Sequence, residues 1–161
     1  MKNKSIVSLF LLMMLVLPMS AFAKSGISIF HDKCSGIEGI QRFSFSGSWF
    51  DCSKFVSDID FSSMAEQTKN VSVMISSDDK DKVLNVWNGL RKDLKYKKMM
   101  TIHSDDKTTI SCWARMKSRK DIQEIVLIVS DDDSLVTVGL EGNYTMEQIK
   151  AMSKNMKMTV E

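Results

Sequence analysis

Proline is nearly absent from this chain: the single one, Pro18, lies in the first 23 residues. Beyond it there is no Gly/Ser-rich linker and no low-complexity tract, so residues 24–161 read as one domain. Long apolar runs are missing too. The run from Ile6 to Leu17 has 12 residues, below the roughly 20 a helix needs to cross a bilayer, and no second long run follows. No membrane span is expected.

An excess of one charge is also lacking. The chain has 22 basic and 20 acidic residues, and Lys2 and Lys4 are the only charged residues before Lys24. The remainder is therefore formally neutral. Scattered lysines on a neutral chain do not make the one-sided basic face that phosphate backbones demand, which argues against a nucleic-acid partner.

The N-terminus is informative. Lys2 and Lys4, the uncharged run to Leu17, Pro18 and the small-residue pattern Ala21-Phe22-Ala23 form a secretory signal peptide over residues 1–23. Cleavage after Ala23 leaves Lys24 first, with no cysteine at the junction for a lipid. The expected product is soluble, periplasmic or secreted, and large enough to build a core without staples. Three cysteines remain, Cys34, Cys52 and Cys112, and in an oxidising compartment an odd number leaves one unpaired. Cys34 and Cys52 are the first pair to consider, because both lie outside the strongest strand patterns. Cys112 alternates with Ile110, Ala114 and Met116 and is expected as a buried thiol.

Periodicity supplies the elements. "SGISIFHDKCSG" predicts a short helix with Ile27, Phe30 and Cys34 on one side, ended by Gly36. A strand follows from Ile40, with Phe43 and Phe45 on one face, and the stretch from Trp49 to Met64 has no clean period. "NVSVMISS" alternates as a second strand. Val83, Val86, Trp87, Leu90 and Leu94 form one apolar helical stripe, with Ser77 or Asp78 as caps and Asp79 and Asp81 in the first turn. Four strands come next: Met100 and Ile102; Ile110 to Met116; Ile125 to Val129, apolar at every position and so expected at the sheet centre; and Val136, Val138 and Leu140. Thr145 and Gln148 form a capping box for a closing helix carrying Met146, Ile149, Met152 and Met156. The expected fold is α+β, a two-layer sandwich of mostly antiparallel sheet with helices packed on one face.

Ser-Asp-Asp occurs at 77–79, 104–106 and 130–132, once before a helix and twice between strands. Aspartate and serine suit those places because their short side chains bond nearby backbone. None of the three has the staggered oxygen ligands, glycine bend and distal glutamate of a calcium loop. They read as punctuation of the chain.

Other side chains have the chemistry of a site. His31, Cys34 and Cys52 make a three-ligand set for zinc or copper, set against a disulfide or packed thiols with His31 exposed. Cys112, His103 and Asp105 or Asp106 resemble a nucleophile, base and orienter, but a turn at 104–108 leaves His103 at the hairpin end and Cys112 down the partner strand on the apolar face. Met152, Met156 and Met158 suit copper(I) or core filling. Asn70 and Asn143 sit in glycosylation tripeptides, which matter only in a eukaryotic secretory pathway. Trp49, Phe50 and Phe55 suit a core cluster more than a recognition surface. No catalytic, cofactor-binding or metal residue is assigned.

The stretches "IFHDKCSGIEGIQRFSFS", "VWNGLRKDLKYKKMMTI", "TTISCWARMKS" and "IQEIVLIVSDDDSLVTVGLEG" resemble, over most of residues 26–142, the exported Bacteroidota proteins grouped as domain of unknown function 4252. The resemblance implies a Gram-negative host, a periplasmic address and no established activity. Many members look like lipoproteins, whereas this chain has no junction cysteine. The expectation is a non-catalytic domain that binds another envelope protein or has an envelope-associated regulatory role; the alternative is a metal or small-ligand binder. N-terminal sequencing of the protein from an envelope fraction should begin at Lys24, and a chain still beginning at Met1 would refute the leader.

Overall fold

The computed structural model describes residues 25–46, 62–103, 107–151 and 158–159. Helix α1 spans Gly26–Cys34, and its N-cap Ser25 accepts the Ser28 N–H through its hydroxyl at 3.1 Å. That bond satisfies one of the amides a helix start leaves free. Strand β1 (Ile40–Ser46) follows, and a 3-10 helix over Ser62–Gln67 leads into β2 (Thr68–Ser76). Helix α2 (Lys80–Asp93) buries Val83, Trp87 and Leu90, the centre of the expected stripe.

Beyond Lys95, whose φ of 61° turns the chain out of the helix, come β3 (Tyr96–His103), β4 (Thr109–Met116), β5 (Ile122–Ser130) and β6 (Leu135–Tyr144). Helix α3 (Met146–Ala151) starts at the expected capping box. The Thr145 N–H donates to Gln148 Oε1 at 2.9 Å and the Gln148 N–H to Thr145 Oγ1 at 3.3 Å. The two-residue β7 (Met158–Thr159) closes the order.

The sheet runs β1-β2-β6-β5-β4-β3-β7, every neighbouring pair antiparallel. Strands β3 to β6 form a meander whose last strand lands beside β2, and the β2–α2–β3 connection carries the chain across one face. Strand β5 lies in the middle with both sides covered: Ile125 and Leu127 belong to one apolar cluster, Val126 and Ile128 to the other. This is the central strand that its unbroken apolar run predicts.

The α+β class holds, but the helices are not gathered on one face. One face packs against α1 and α2 through Ile27, Phe30, Val83 and Trp87. The other carries Met64 of the 3-10 helix and Ile149 of α3 over Val73, Ile125 and Val138. Along β5 successive residues alternate between the two apolar layers, so both faces of the sheet centre are apolar. Trp49, Phe50, Phe55 and the Ser104-Asp105-Asp106 turn lie outside the described residues.

One glycine sets how closely α1 sits. A Cβ on Gly139 of β6 would lie 2.4 Å from Ile27 Cγ2, so the bare backbone there is what lets the helix rest on the sheet. Gly139→Ala should cost about 1–3 kcal/mol, and Ile27→Ala in the same chain should recover part of that loss in a double-mutant cycle read by urea unfolding. Strict additivity of the two substitutions would rule the contact out.

Candidate functional site

Polar groups converge where α1 meets the sheet. Glu124 of β5 is 5% exposed. Its Oε1 accepts the Ile27 N–H of α1 at 3.2 Å and the Tyr96 hydroxyl of β3 at 3.0 Å, and its Oε2 accepts Arg115 Nη1 of β4 at 2.8 Å. A buried carboxylate is costly unless paired and hydrogen-bonded, and this one is both. The start of α1 adds the positive end of the helix dipole. Burial, followed by the neighbouring Glu124 charge, raises the Tyr96 hydroxyl above the usual phenol range, so it stays a donor.

Around this hub stands an aromatic cluster. The Trp87 ring is 5.0 Å from Phe30, 5.1 Å from Tyr96 and 5.6 Å from Trp113, and the Arg91 guanidinium lies 4.8 Å over Trp113. These spacings suit tilted and edge-on ring contacts. Sequence reasoning missed the hub. The available signal was an acidic residue, Glu124, directly before an apolar run in a strand, with Arg115 in the preceding strand.

His31 is buried rather than exposed, at 1%. It lies four residues after Ile27, so it shares the helix face that the Ile27, Phe30 and Cys34 stripe marks. Its Nε2 lies 2.9 Å from Thr137 Oγ1 of β6, and its Nδ1 has no hydrogen-bond partner among the described residues. Burial, with a smaller contribution from the Arg42 charge, lowers its pKa to about 4. Cys34 is a free, fully buried thiol whose pKa burial raises to about 11; Cys52, the partner first considered for it, lies outside the described residues. Among the described residues no three His, Cys, Asp or Glu side chains gather closely enough to hold a metal.

Cys112 is free and fully buried, with its thiol raised to about 12 by burial. It pairs with Met100, whereas exposed His103 pairs with Thr109 at the hairpin end and alternates onto the opposite face. The structure keeps them apart, as a strand's period of two dictates. Met64, Met74 and Met100 fill the core. Met152 and Met156 lie outside the described residues, and of Met158 only the backbone is described. Asn143 is exposed, and Asn70 is exposed on β2 with its side chain bonded to Glu141.

The acidic turns divide. At the β5–β6 turn, Asp131 Oδ1 accepts the N–H groups of Asp133 at 2.9 Å and Ser134 at 2.7 Å, and these backbone bonds lower its pKa. That is aspartate bonding its own turn, as expected. At the start of α2 the cap is Asp79, with no side-chain bond to the helix amides; its carboxylate takes Lys82 Nζ at 3.1 Å instead. The Ser77 or Asp78 cap is thus corrected to Asp79, because the helix begins at Lys80. The two turns meet across a cavity of about 520 Å³. Lys80 Nζ bridges them by donating to the carbonyl oxygens of Asp131 at 2.7 Å and Asp132 at 3.0 Å. Among the described residues Lys80 and Lys82 line this corner, and Lys107 Nζ lies 3.9 Å from Asp132.

The fold and this arrangement define an α+β domain held by a buried ionic hub, with two protonated core thiols. A family model matches residues 35–152. The chain belongs to the family described as Domain of unknown function (DUF4252). No curated protein and no solved structure matches it.

The His31 burial has a pH consequence. The unfolded imidazole takes a proton near 6.5 and the folded one near 4, so below pH 6.5 the unfolded state binds more protons. Stability should be full above that range and fall by about 3 kcal/mol as the pH drops to 4. His31→Gln should flatten that part of the curve in urea titrations; an unchanged slope would show that another group governs it.

Proposed function

We propose that this chain is an exported, non-catalytic domain that binds another protein of the cell envelope along the free edge of β1. The observation that carries the reading is that edge. Among the described residues β1 pairs only with β2. Gln41, Arg42, Phe43 and Ser44 are all exposed, and Phe43, at 41%, is the exposed large hydrophobic side chain of the described residues. An edge strand offers unpaired N–H and C=O groups to an added strand, and an outward aromatic beside them gives an anchor. The centre of the sheet carries the chain's own apolar clusters on both faces, whereas β1 has no described strand on its outer side.

Export is supported by the charged start, the 12-residue apolar run and the Ala21-Phe22-Ala23 pattern, and no described helix is long and apolar enough to cross a membrane. An envelope role in a Gram-negative, Bacteroidota host rests on the resemblance. The non-catalytic reading is our own; Cys34 and Cys112, which burial keeps protonated, are poor nucleophiles.

Cross-linking and pull-down from the envelope fraction should recover a specific partner. Phe43→Glu should weaken recovery by about tenfold or more with an unchanged melting temperature. Equal recovery by both chains would overturn the assignment to β1.

A further inference from the structure

A second recess lies on the α1 side of the sheet, beyond the Glu124 hub. This open recess has a volume of about 370 Å³ and is lined by Ser28 of α1, Ser44 and Phe45 of β1, Asn70, Val71 and Ser72 of β2, and Glu141 of β6. The register explains the grouping: Ser44 pairs with Ser72 and Asn70 with Glu141. Asn70 and Ser72 are two apart, so polar side chains of three neighbouring strands project to one face. Apolar partners from the same strands, Val71, Val73 and Leu140, go to the other.

The charges around this recess are unequal. Glu124 is matched by Arg115 at 2.8 Å, whereas Glu141 is bonded by two neutral groups, the Ser25 hydroxyl and the Asn70 side chain. Among the described residues no basic side chain pairs with Glu141. Half-burial and the nearby Glu124 charge both act against its ionised form, as desolvation and a like charge do for any carboxylate. The Ser44 and Ser72 hydroxyls add acceptors to the wall. An alkyl ammonium carries three donors, no acceptor and one positive charge, which is the complement of a lone carboxylate ringed by hydroxyl and amide oxygens.

We propose that the recess between α1 and β1–β2–β6 binds a small organic ammonium ion, with Glu141 as counter-charge and Ser44, Asn70 and Ser72 as hydrogen-bond partners. Its volume falls within the roughly 300–1,000 Å³ of small-ligand sites. The ammonium belongs either to a free amine or to a lysine side chain, which share the chemistry that the recess reads.

The test is an NMR titration of the whole mature chain with putrescine, with Nα-acetyl-lysine amide, and with glucose and potassium chloride as controls of matched concentration and ionic strength. Amide shifts at Ser44, Asn70 and Ser72 should saturate with an amine and not with the controls. The tighter of the two amines identifies the source of the group. Glu141→Gln should weaken binding about tenfold, and Ser72→Val, which leaves the carboxylate and its Ser25 bond in place, should weaken it several-fold. Saturation by glucose, shifts reproduced by potassium chloride, or undiminished amine binding in Glu141→Gln would each overturn the proposal. Phe43→Glu should leave amine binding unchanged, so failure here and failure of the β1 partner site are separable.

Discussion

The Glu124 carboxylate is the constraint on which this architecture depends. It joins four elements that the chain visits far apart: the first turn of α1 through the Ile27 amide, β3 through the Tyr96 hydroxyl, β4 through Arg115, and β5 on which it stands. Removing a charge from water is expensive, and the cost is offset only when every lone pair is engaged in good geometry. The Ile27 amide supplies one of the three bonds on that carboxylate. Apolar contact holds α1 to the sheet, whereas the carboxylate decides where along the sheet it lies.

The same seat organises its surroundings. Gly139 admits Ile27 at van der Waals range of the strand backbone, and His31, one turn further along the helix, reaches Thr137 on the same strand. Burying the ring there makes a histidine that stays neutral well below its ordinary range. Past the helix start, the polar side chains of β1, β2 and β6 are left uncovered and frame the Glu141 recess. The hub and the recess are thus two outcomes of one placement: a carboxylate paired with a guanidinium, and a neighbour that, among the described residues, is bonded by neutral groups.

At the far corner, the acidic turns show how a charge pattern is absorbed by the fold. Asp131 serves its own turn. Asp79 would serve its helix by the same logic, but Lys82, one turn along, takes its carboxylate. Lys80 then ties the two turns through backbone carbonyls. Exposed pairs of this kind contribute little to stability; their effect is to occupy a corner where carboxylates from two loops meet.

What the sequence by itself determined is whatever depends on residues within a few positions of one another. The α2 stripe, the Thr145–Gln148 capping box, the Asp131 turn, the one-sided placement of Phe43 and Phe45 and the central rank of the strand around Val126 follow from periods of 3.6 and 2 and from short-range hydrogen bonds. The exposed His31 and the helices gathered on one face did not survive, because each was settled by groups from other elements; the Ser77 or Asp78 cap missed locally, since α2 begins at Lys80 with Asp79 as its cap. Tertiary structure alone decided the hub and the recess. Their partners lie as far as 97 residues apart for Ile27 and Glu124 and 106 for His31 and Thr137. No local period encodes which side chain a folded sheet will bring beneath a helix.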